Sequence, residues 1–176
     1  DIKNKFIFFF FPDPKNSQSL INDFIKSIYI DHNESGNILW IGTAGGGINR
    51  FDVEKNTFSR FSERDGLPNN VVYGILPDRK GNLWLSTNKG LSKFNLEDKT
   101  FRNYDVNDGL LSNEFNTGAY FVSKNGEMFF GGIKGLNYFY PKDVNLSTFN
   151  PPLVIPEFQI FNQSITIDDN SPLRSS

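Results

Sequence analysis

Side chains able to carry out acid–base or metal chemistry are few in this sequence, and they lie in turns. The single histidine, His32, falls in the stretch DHNESGN beside Asp31 and Glu34. This pattern is typical of a solvated turn, with a metal or acid–base site as the alternative. No second histidine is present to complete a serine or threonine triad, and the absence of cysteine excludes thiol nucleophiles and zinc–thiolate sites. The sequence therefore predicts no catalytic residue and no metal site.

Three further patterns resemble ligand-binding motifs and are better explained as turns. The stretch DVNDG at 105–109 begins like a calcium loop, but it lacks the terminal glutamate and shares its DG with a second copy at 65–66. The glycine runs GTAGGGI and GGIKGL are not followed by a helix or by Lys-Ser/Thr, as phosphate loops are. The acidic pairs at 97–98 and 168–169 predict solvated charge rather than a glycosidase pair. We expect no cofactor.

The charge balance and the apolar runs exclude two further classes of protein. A formal net charge of -2 and a pI near 5.4 argue against a nucleic-acid binder, which normally presents a basic face. The run FIFFFF at 6–11 ends at Pro12. It is too short for a membrane span and lacks the apolar length and cleavage site of a signal peptide.

One pattern occurs three times along the chain. Trp84 lies 44 residues after Trp40, and Phe129 lies 45 residues after Trp84. Each copy opens with Leu-x-Asn-x, continues with an apolar run, turns at glycine and reaches this aromatic position. A short strand then ends in another phenylalanine. The openings are Leu20-Ile21-Asn22-Asp23, Leu67-Pro68-Asn69-Asn70 and Leu111-Ser112-Asn113-Glu114, and the closing aromatics are Phe51, Phe94 and Phe139.

Each copy contains four runs of strand length bounded by Gly, Pro, Asn or Asp, and no window has sustained helical periodicity. In the second copy the runs are Val71–Leu76, Leu83–Thr87, Leu91–Asn95 and Thr100–Tyr104. A repeat of about 40–45 residues with four short antiparallel strands is typical of a β-propeller blade. The predicted fold is all-β, a partial β-propeller of about three four-stranded antiparallel blades with flanking strands.

The aromatic positions of the repeat are predicted to pack one blade against the next. A single four-stranded sheet cannot bury both faces, so each blade needs a neighbour that carries the same apolar positions. Trp40, Trp84 and Phe129 are expected at these contacts because they lie in the middle of strands; an aromatic platform for sugars is the alternative. Phe51, Phe94 and Phe139 complete the predicted repeat core.

Polar side chains of the connectors are the predicted ligand contacts. In a propeller, the segments that enter each innermost strand gather at one mouth of the central channel. Asn, Asp and Glu there suit a ligand rich in hydroxyl groups, although the same side chains can cap turns. The predicted contacts are Asp23, Asn70 and Glu114, flanked by Asn22, Asn69 and Asn113. The opposite turns at 78–82 and 95–100 are expected to make none.

These motifs resemble the two-component regulator propeller repeat, found in the sensor region of hybrid two-component systems of Bacteroidetes-type bacteria. The resemblance rests on LPNNVVYGILPDRKGNLWLSTNKGLSKFN at 67–95, IYIDHNESGNILWIGTAGGGINRFD at 28–52 and a worn copy at 108–144. It implies one or two propellers of about seven blades. An immunoglobulin-like domain, a membrane helix and a histidine kinase would follow. NPPLVIPEFQIFNQSI at 150–165 is similar to the first strand of that immunoglobulin-like domain.

The predicted organisation follows from these matches. Residues 1–19 are expected to be the outer strand and connector of a preceding blade, and 150–176 a linker with the truncated start of an immunoglobulin-like domain. The blades are assigned to 20–66, 67–109 and 110–149, the last being the final blade of its propeller. Three blades fall short of the four to eight that close a propeller, so we expect the remaining blades to lie outside this sequence.

The resemblance implies a non-enzymatic sensor of oligosaccharides in the periplasmic part of an inner-membrane histidine kinase, which is expected to be a homodimer and to bind no nucleic acid through this segment. Two alternatives stay open. A propeller scaffold that binds proteins would need no small-ligand chemistry. A propeller enzyme that degrades polysaccharides is disfavoured by the lack of paired carboxylates and of further histidines.

Overall fold

A computed structural model describes residues 8–31 and 37–144, together with the backbone of 159–160 and 163–164. The chain divides into two compact units, Asp1–Val144 and Asn145–Ser176, which are considered separately. His32 and Glu34 lie outside the described residues, as do the first two positions of the FIFFFF run.

The first unit contains three antiparallel sheets, each built from consecutive strands in chain order. The first blade comprises β1 (Ile25–Asp31), β2 (Ile38–Thr43), β3 (Ile48–Asp52) and β4 (Thr57–Phe61). The second comprises β5 (Val72–Pro77), β6 (Asn82–Thr87), β7 (Gly90–Asn95) and β8 (Phe101–Tyr104). The third comprises β9 (Phe115–Val122), β10 (Met128–Gly132) and β11 (Gly135–Phe139). The all-β propeller prediction is confirmed, and the four strands of the second blade lie within about one residue of their predicted bounds.

Two predicted strands are absent from the described residues. The sequence predicts four strands in each blade, but the third blade has three, and the residues from 140 to 144 after β11 form no strand. Residues 8–11, predicted to end an outer strand, are likewise not a strand. Residues 140–144 contain no counterpart of the closing NTFSRF or KTFRNY run of the first two copies, in keeping with the absence of a fourth strand from that described segment.

The turns follow the chemistry of their residues. Between β5 and β6, Asp78 Oδ1 accepts the amides of Lys80 and Asn82 at 2.8 and 3.0 Å. Gly81 takes the left-handed conformation, at φ 75°, that this turn requires. In residues 8–31 and 37–144 the only helices are two three-residue 3₁₀ turns, Glu63–Asp65 and Val106–Asp108, in the connectors between blades.

A Trp–Phe contact joins each pair of neighbouring blades. Trp40 of the first blade lies 5.5 Å, centroid to centroid, from Phe94 of the second. Trp84 of the second lies 4.8 Å from Phe139 of the third. Both Trp side chains are 1% exposed. Each Trp therefore fills the space in front of the next blade, which confirms their burial at equivalent positions.

In each of the first and third blades, one of the two aromatic positions of this contact has no neighbouring blade among the described residues. Phe129 occupies the Trp position of the third blade, yet it is only half-buried and contacts the exposed aromatics Phe121 and Tyr138 of its own sheet. At the other end Phe51 faces the preceding side, where Phe10 packs on it at 4.7 Å. The packing role of Phe129 between blades stays a prediction.

The second unit is described only as a backbone hairpin of two short strands, β12 (Gln159–Ile160) and β13 (Gln163–Ser164). The predicted immunoglobulin-like start otherwise lies outside the described residues.

Candidate functional site

The first strands of the three blades converge at the site. β1, β5 and β9 contact one another, including β1 with β9, although their sheets are not neighbours. At one end of these strands each connector binds the β2–β3-type turn of the blade before it. The Asn70 carbonyl accepts the amides of Gly45 and Gly47 at 3.0 and 2.7 Å, and the Asn113 carbonyl accepts that of Gly90 at 2.7 Å. These connectors and turns form the mouth.

The side-chain oxygens of the mouth residues accept hydrogen bonds from nearby backbone. Asn22 Oδ1 accepts the Phe24 amide at 2.8 Å, and Asn69 Oδ1 accepts that of Val71 at 3.0 Å. Asn70 Oδ1 accepts the Glu63 amide at 2.9 Å. Asn113 Oδ1 accepts the Val106 amide at 3.0 Å. These contacts are the capping roles left open as the alternative, and they leave the amide NH₂ groups as the available donors.

The third connector corrects one alignment. The sequence comparison set Leu111 against Leu67 and hence Glu114 against Asn70. In the structure Asn113 is the counterpart of Asn70, because each accepts the first amide of a 3₁₀ turn through Oδ1. The adjacent Leu110 and Leu111 make either register possible, and the predicted register, which starts at Leu111, is wrong. Glu114 therefore corresponds to the position that enters the first strand, and both it and Asp23 are exposed.

Two residues of the mouth were missed by the sequence analysis. β1 and β5 each contain a bulge, between Ile25 and Ser27 and between Val72 and Gly74, which sets Lys26 and Tyr73 outside the regular pairing. Lys26 Nζ lies 4.9 Å from the Phe24 ring centroid and 5.9 Å from that of Tyr73. The Tyr73 hydroxyl donates to Asn88 Oδ1 at 2.8 Å. A cation, two aromatic rings and an amide thus lie together at the mouth.

The third blade extends this surface. Its first strand, β9, pairs irregularly with β10 between Phe130 and Gly132 of β10. Residues 116–118 of β9 are exposed at this irregularity. Asn116 and Thr117 add hydroxyl and amide groups, and Gly118 has φ 75°. The polar NTG inside an otherwise apolar strand is the sequence signal that could have located this bulge.

The mouth offers hydrogen bonding and aromatic contact. Across residues 8–31 and 37–144, no group of three or more His, Asp or Glu side chains is placed to hold a metal ion. Exposed aromatic faces beside donors and acceptors suit a ligand with many hydroxyl groups and apolar ring faces. The same described residues contain no helix long and apolar enough to cross a membrane.

Comparison with known proteins finds one matching repeat and several similar proteins. Residues 66–89 match the two component regulator propeller. Histidine kinase P4 of Formosa agariphila is 34% identical over 203 aligned positions, which cover 88% of this chain and 15% of that protein. The chain thus spans a small part of this curated relative.

Two solved structures from B. thetaiotaomicron extend the likeness. The extracellular domain of the hybrid two component system BT4673 is 26% identical with a TM-score of 0.59, covering 69% of this chain and 17% of that one. The corresponding domain of BT3049 is 26% identical with a TM-score of 0.55, covering 90% and 28%. PorZ, a surface component of the type-IX secretion system of Porphyromonas gingivalis, shares the fold at 19% identity and a TM-score of 0.55, over 69% of this chain and 18% of PorZ.

Proposed function

We propose that this chain belongs to the ligand sensor of a hybrid two-component histidine kinase and binds an oligosaccharide at its mouth, since residues 66–89 match the two component regulator propeller. The observation that carries the proposal is the cluster of Lys26, Tyr73 and Asn88 where the first strands converge. Aromatic side chains beside a few convergent polar groups are typical of small-molecule sites.

The incomplete arc supports a larger assembly around this site. Phe121 and Tyr138 are 63% and 65% exposed on the face that a following blade would cover. A contiguous exposed aromatic face is unusual for a free surface. Further blades of the same propeller therefore cover it, and an immunoglobulin-like domain follows.

The remaining parts of the proposal concern the complete protein. Its sensor lies in the periplasm, its kinase lies across the inner membrane, and it works as a homodimer. The ligand binds one arrangement of the propeller and the immunoglobulin-like domain more tightly than the other. Its binding therefore shifts the equilibrium towards that arrangement. Similarity to the extracellular domains of hybrid two component systems supports this topology.

Binding to a printed array of defined oligosaccharides, followed by calorimetry on the best ligand, tests the proposal in the complete protein. Lys26→Ala and Tyr73→Ala should each weaken binding by about 1–3 kcal/mol if their side chains contact the ligand. Glu97→Ala is the matched control, because Glu97 is exposed on the opposite turn and only its backbone amide makes a described hydrogen bond. Asn70→Ala is a less clean probe, because it also removes the acceptor for Glu63.

Three results would contradict the proposal. Binding of no oligosaccharide, with stable capture of a protein partner, would favour the protein-binding scaffold. Loss of binding in Glu97→Ala with full binding in Lys26→Ala would show that the ligand binds at the end of the blades opposite the mouth. Release of shortened saccharide during the titration would favour the enzyme.

A further inference from the structure

A second cavity lies at the end of the blades opposite the mouth. It has a volume of about 450 Å³ and is formed by the β5–β6 turn, the β9–β10 turn and the segment after β11. Its principal side chains are those of Tyr29, Arg79, Lys80, Lys124, Tyr140 and Lys142. This size lies within the range of small-ligand sites and leaves room for one or two sugar rings.

The charge of this cavity differs from that of the chain as a whole. The protein has a formal net charge of -2, yet four cationic side chains and one carboxylate line the cavity. Among the described residues none of the four cations has an ion-pair partner, since the ion pairs formed there involve Arg50 and Lys55 with Asp52. Unpaired cations around one concavity create a positive potential that attracts anions.

The single carboxylate offsets only one of the four positive charges, and its oxygens serve the turn. Asp78 Oδ1 accepts the amides of Lys80 and Asn82 at 2.8 and 3.0 Å. Its Oδ2 accepts the Asn82 side-chain amide at 2.9 Å and the Trp84 indole N–H at 3.3 Å. Asp78 thus holds the turn that presents Arg79 and Lys80, and both of its oxygens already accept hydrogen bonds.

Arg79 is oriented before any ligand binds. Its Nη2 donates to the carbonyl of Lys124 at 3.1 Å and so joins the turns of two blades. The side chain runs beside Gly126, where a Cβ would lie 3.7 Å from Nε. Nε, Nη1 and the second N–H of Nη2 make no hydrogen bond with the described residues. One edge of the guanidinium, formed by Nη2 with either Nε or Nη1, therefore keeps its two parallel donors. A guanidinium held in this way is suited to bidentate binding of a carboxylate or sulfate group.

Two tyrosines give the cavity apolar walls. Burial, and secondly the charge of Asp31, raise the pKa of Tyr29, so its phenol stays neutral and can donate a hydrogen bond. Tyr140 lies beneath the ammonium of Lys142, which is 5.2 Å from the ring centroid. Aromatic faces beside cations favour a ring-shaped ligand that carries negative charge over a bare inorganic anion.

We propose that this cavity binds an acidic saccharide, with Arg79 holding its carboxylate or sulfate group and Lys80, Lys124 and Lys142 supplying the surrounding positive charge. The site lies outside the mouth and shares no residue with it. Binding of an acidic saccharide here can therefore be disproved without affecting the proposal for the mouth, and the proposal for the mouth can be disproved without affecting this one.

Calorimetry on the complete protein tests the site with three matched probes: glucuronic acid, glucose 6-sulfate and uncharged glucose. One or both acidic probes should bind at least about tenfold more tightly than glucose, and the stronger of the two identifies the anion that the site prefers. Arg79→Ala should weaken the acidic probe at least about tenfold, whereas Arg79→Lys keeps the charge, loses the fork and should fall between the two. Lys15→Ala removes an equal charge from an exposed position with no described side-chain contact and should bind like the wild type.

Other outcomes would overturn the proposal. Glucose binding as tightly as the acidic probes, or no binding of either acidic probe, would show that the cavity does not select an anion. Equal losses in Arg79→Ala and Lys15→Ala would reduce the effect to net charge. Lys124→Ala keeps the backbone carbonyl that holds Arg79, so unchanged binding in both Lys124→Ala and Arg79→Ala would place the anion elsewhere.

Discussion

Removing the Trp84 side chain should separate the second blade from the third. The indole is 1% exposed and stacks on Tyr104 with centroids 5.3 Å apart. It lies 4.8 Å from Phe139 of the next blade, and its N–H donates to Asp78 at 3.3 Å. Trp84→Ala therefore deletes both the contact between blades and a hydrogen bond to the β5–β6 turn.

The expected cost follows from these contacts. Truncating a buried Trp to Ala costs about 3–5 kcal/mol. Of this, the aromatic pair with Phe139 accounts for about 0.5–1.5 kcal/mol and the hydrogen bond to Asp78 for about 1 kcal/mol. Trp84→Phe keeps most of the apolar area and should cost about 1–2 kcal/mol.

Native-state hydrogen exchange on the complete protein measures the effect locally, since it reports opening of single elements. In Trp84→Ala the amides of β6 and β10 should exchange faster by roughly two to four orders of magnitude. Those of β2 should change far less, because Trp40 and Phe94 hold the first contact between blades. A double-mutant cycle with Phe139→Ala should give a coupling energy of about 0.5–1.5 kcal/mol.

Exchange that accelerates in β6 alone would refute this reasoning. The Trp would then support only its own sheet, and the repeat of Trp positions would not encode packing between blades. A coupling energy near zero would lead to the same conclusion.

Three further perturbations test other parts of the fold. In the complete protein a following blade should shield Phe121 and Tyr138 from hydroxyl-radical oxidation. In the isolated chain these side chains are 63% and 65% exposed, and equally fast oxidation in the complete protein would show that no blade covers them. The amide of Lys55 is the main cause that lowers the pKa of Asp52 below its ordinary 3.8. The stability that Asp52 contributes is therefore present above that pH and lost as the pH falls through the lowered value. Thermal melts should show Asp52→Asn less stable than wild type at pH 7 and approaching it below pH 3.8, and a constant difference would contradict this assignment. Gly90→Ala should destabilise β7 far more than Gly81→Ala destabilises its turn, by hydrogen exchange, because both have positive φ but only a Cβ at Gly90 collides with neighbouring backbone. Equal effects would mean that φ strain alone decides.

Much of the fold could be predicted because the same strand and turn pattern occurs three times in the sequence. Period and turn residues set the strands of the second blade to within about one residue. The burial of Phe129 could not be predicted in the same way, because it depends on a neighbour that the described chain does not supply. The contact of Phe10 with Phe51 was also hidden, since nothing in a run of phenylalanines says which ring turns inward.

The sites were harder to predict than the fold. The connector asparagines were recognised by residue type, but their side-chain oxygens serve the backbone, as those of Asn69 and Asn70 show. Lys26 and Tyr73 reach the mouth through bulges, which follow from pairing between strands rather than from local sequence. The basic cavity escaped notice because Arg79 and Lys142 are distant in sequence and meet only when the turns of neighbouring blades come together.

Phosphorylation of the complete protein in membrane vesicles, titrated with the oligosaccharide identified on the array, measures whether a ligand bound at the mouth controls the kinase. The wild type should change its rate of phosphate incorporation as the ligand is added. Tyr73→Ala should need roughly 5- to 150-fold more ligand to reach the same final rate, because the substitution weakens binding by about 1–3 kcal/mol without altering the kinase. A rate that does not respond to the ligand, or the same dose dependence in both proteins, would contradict the account.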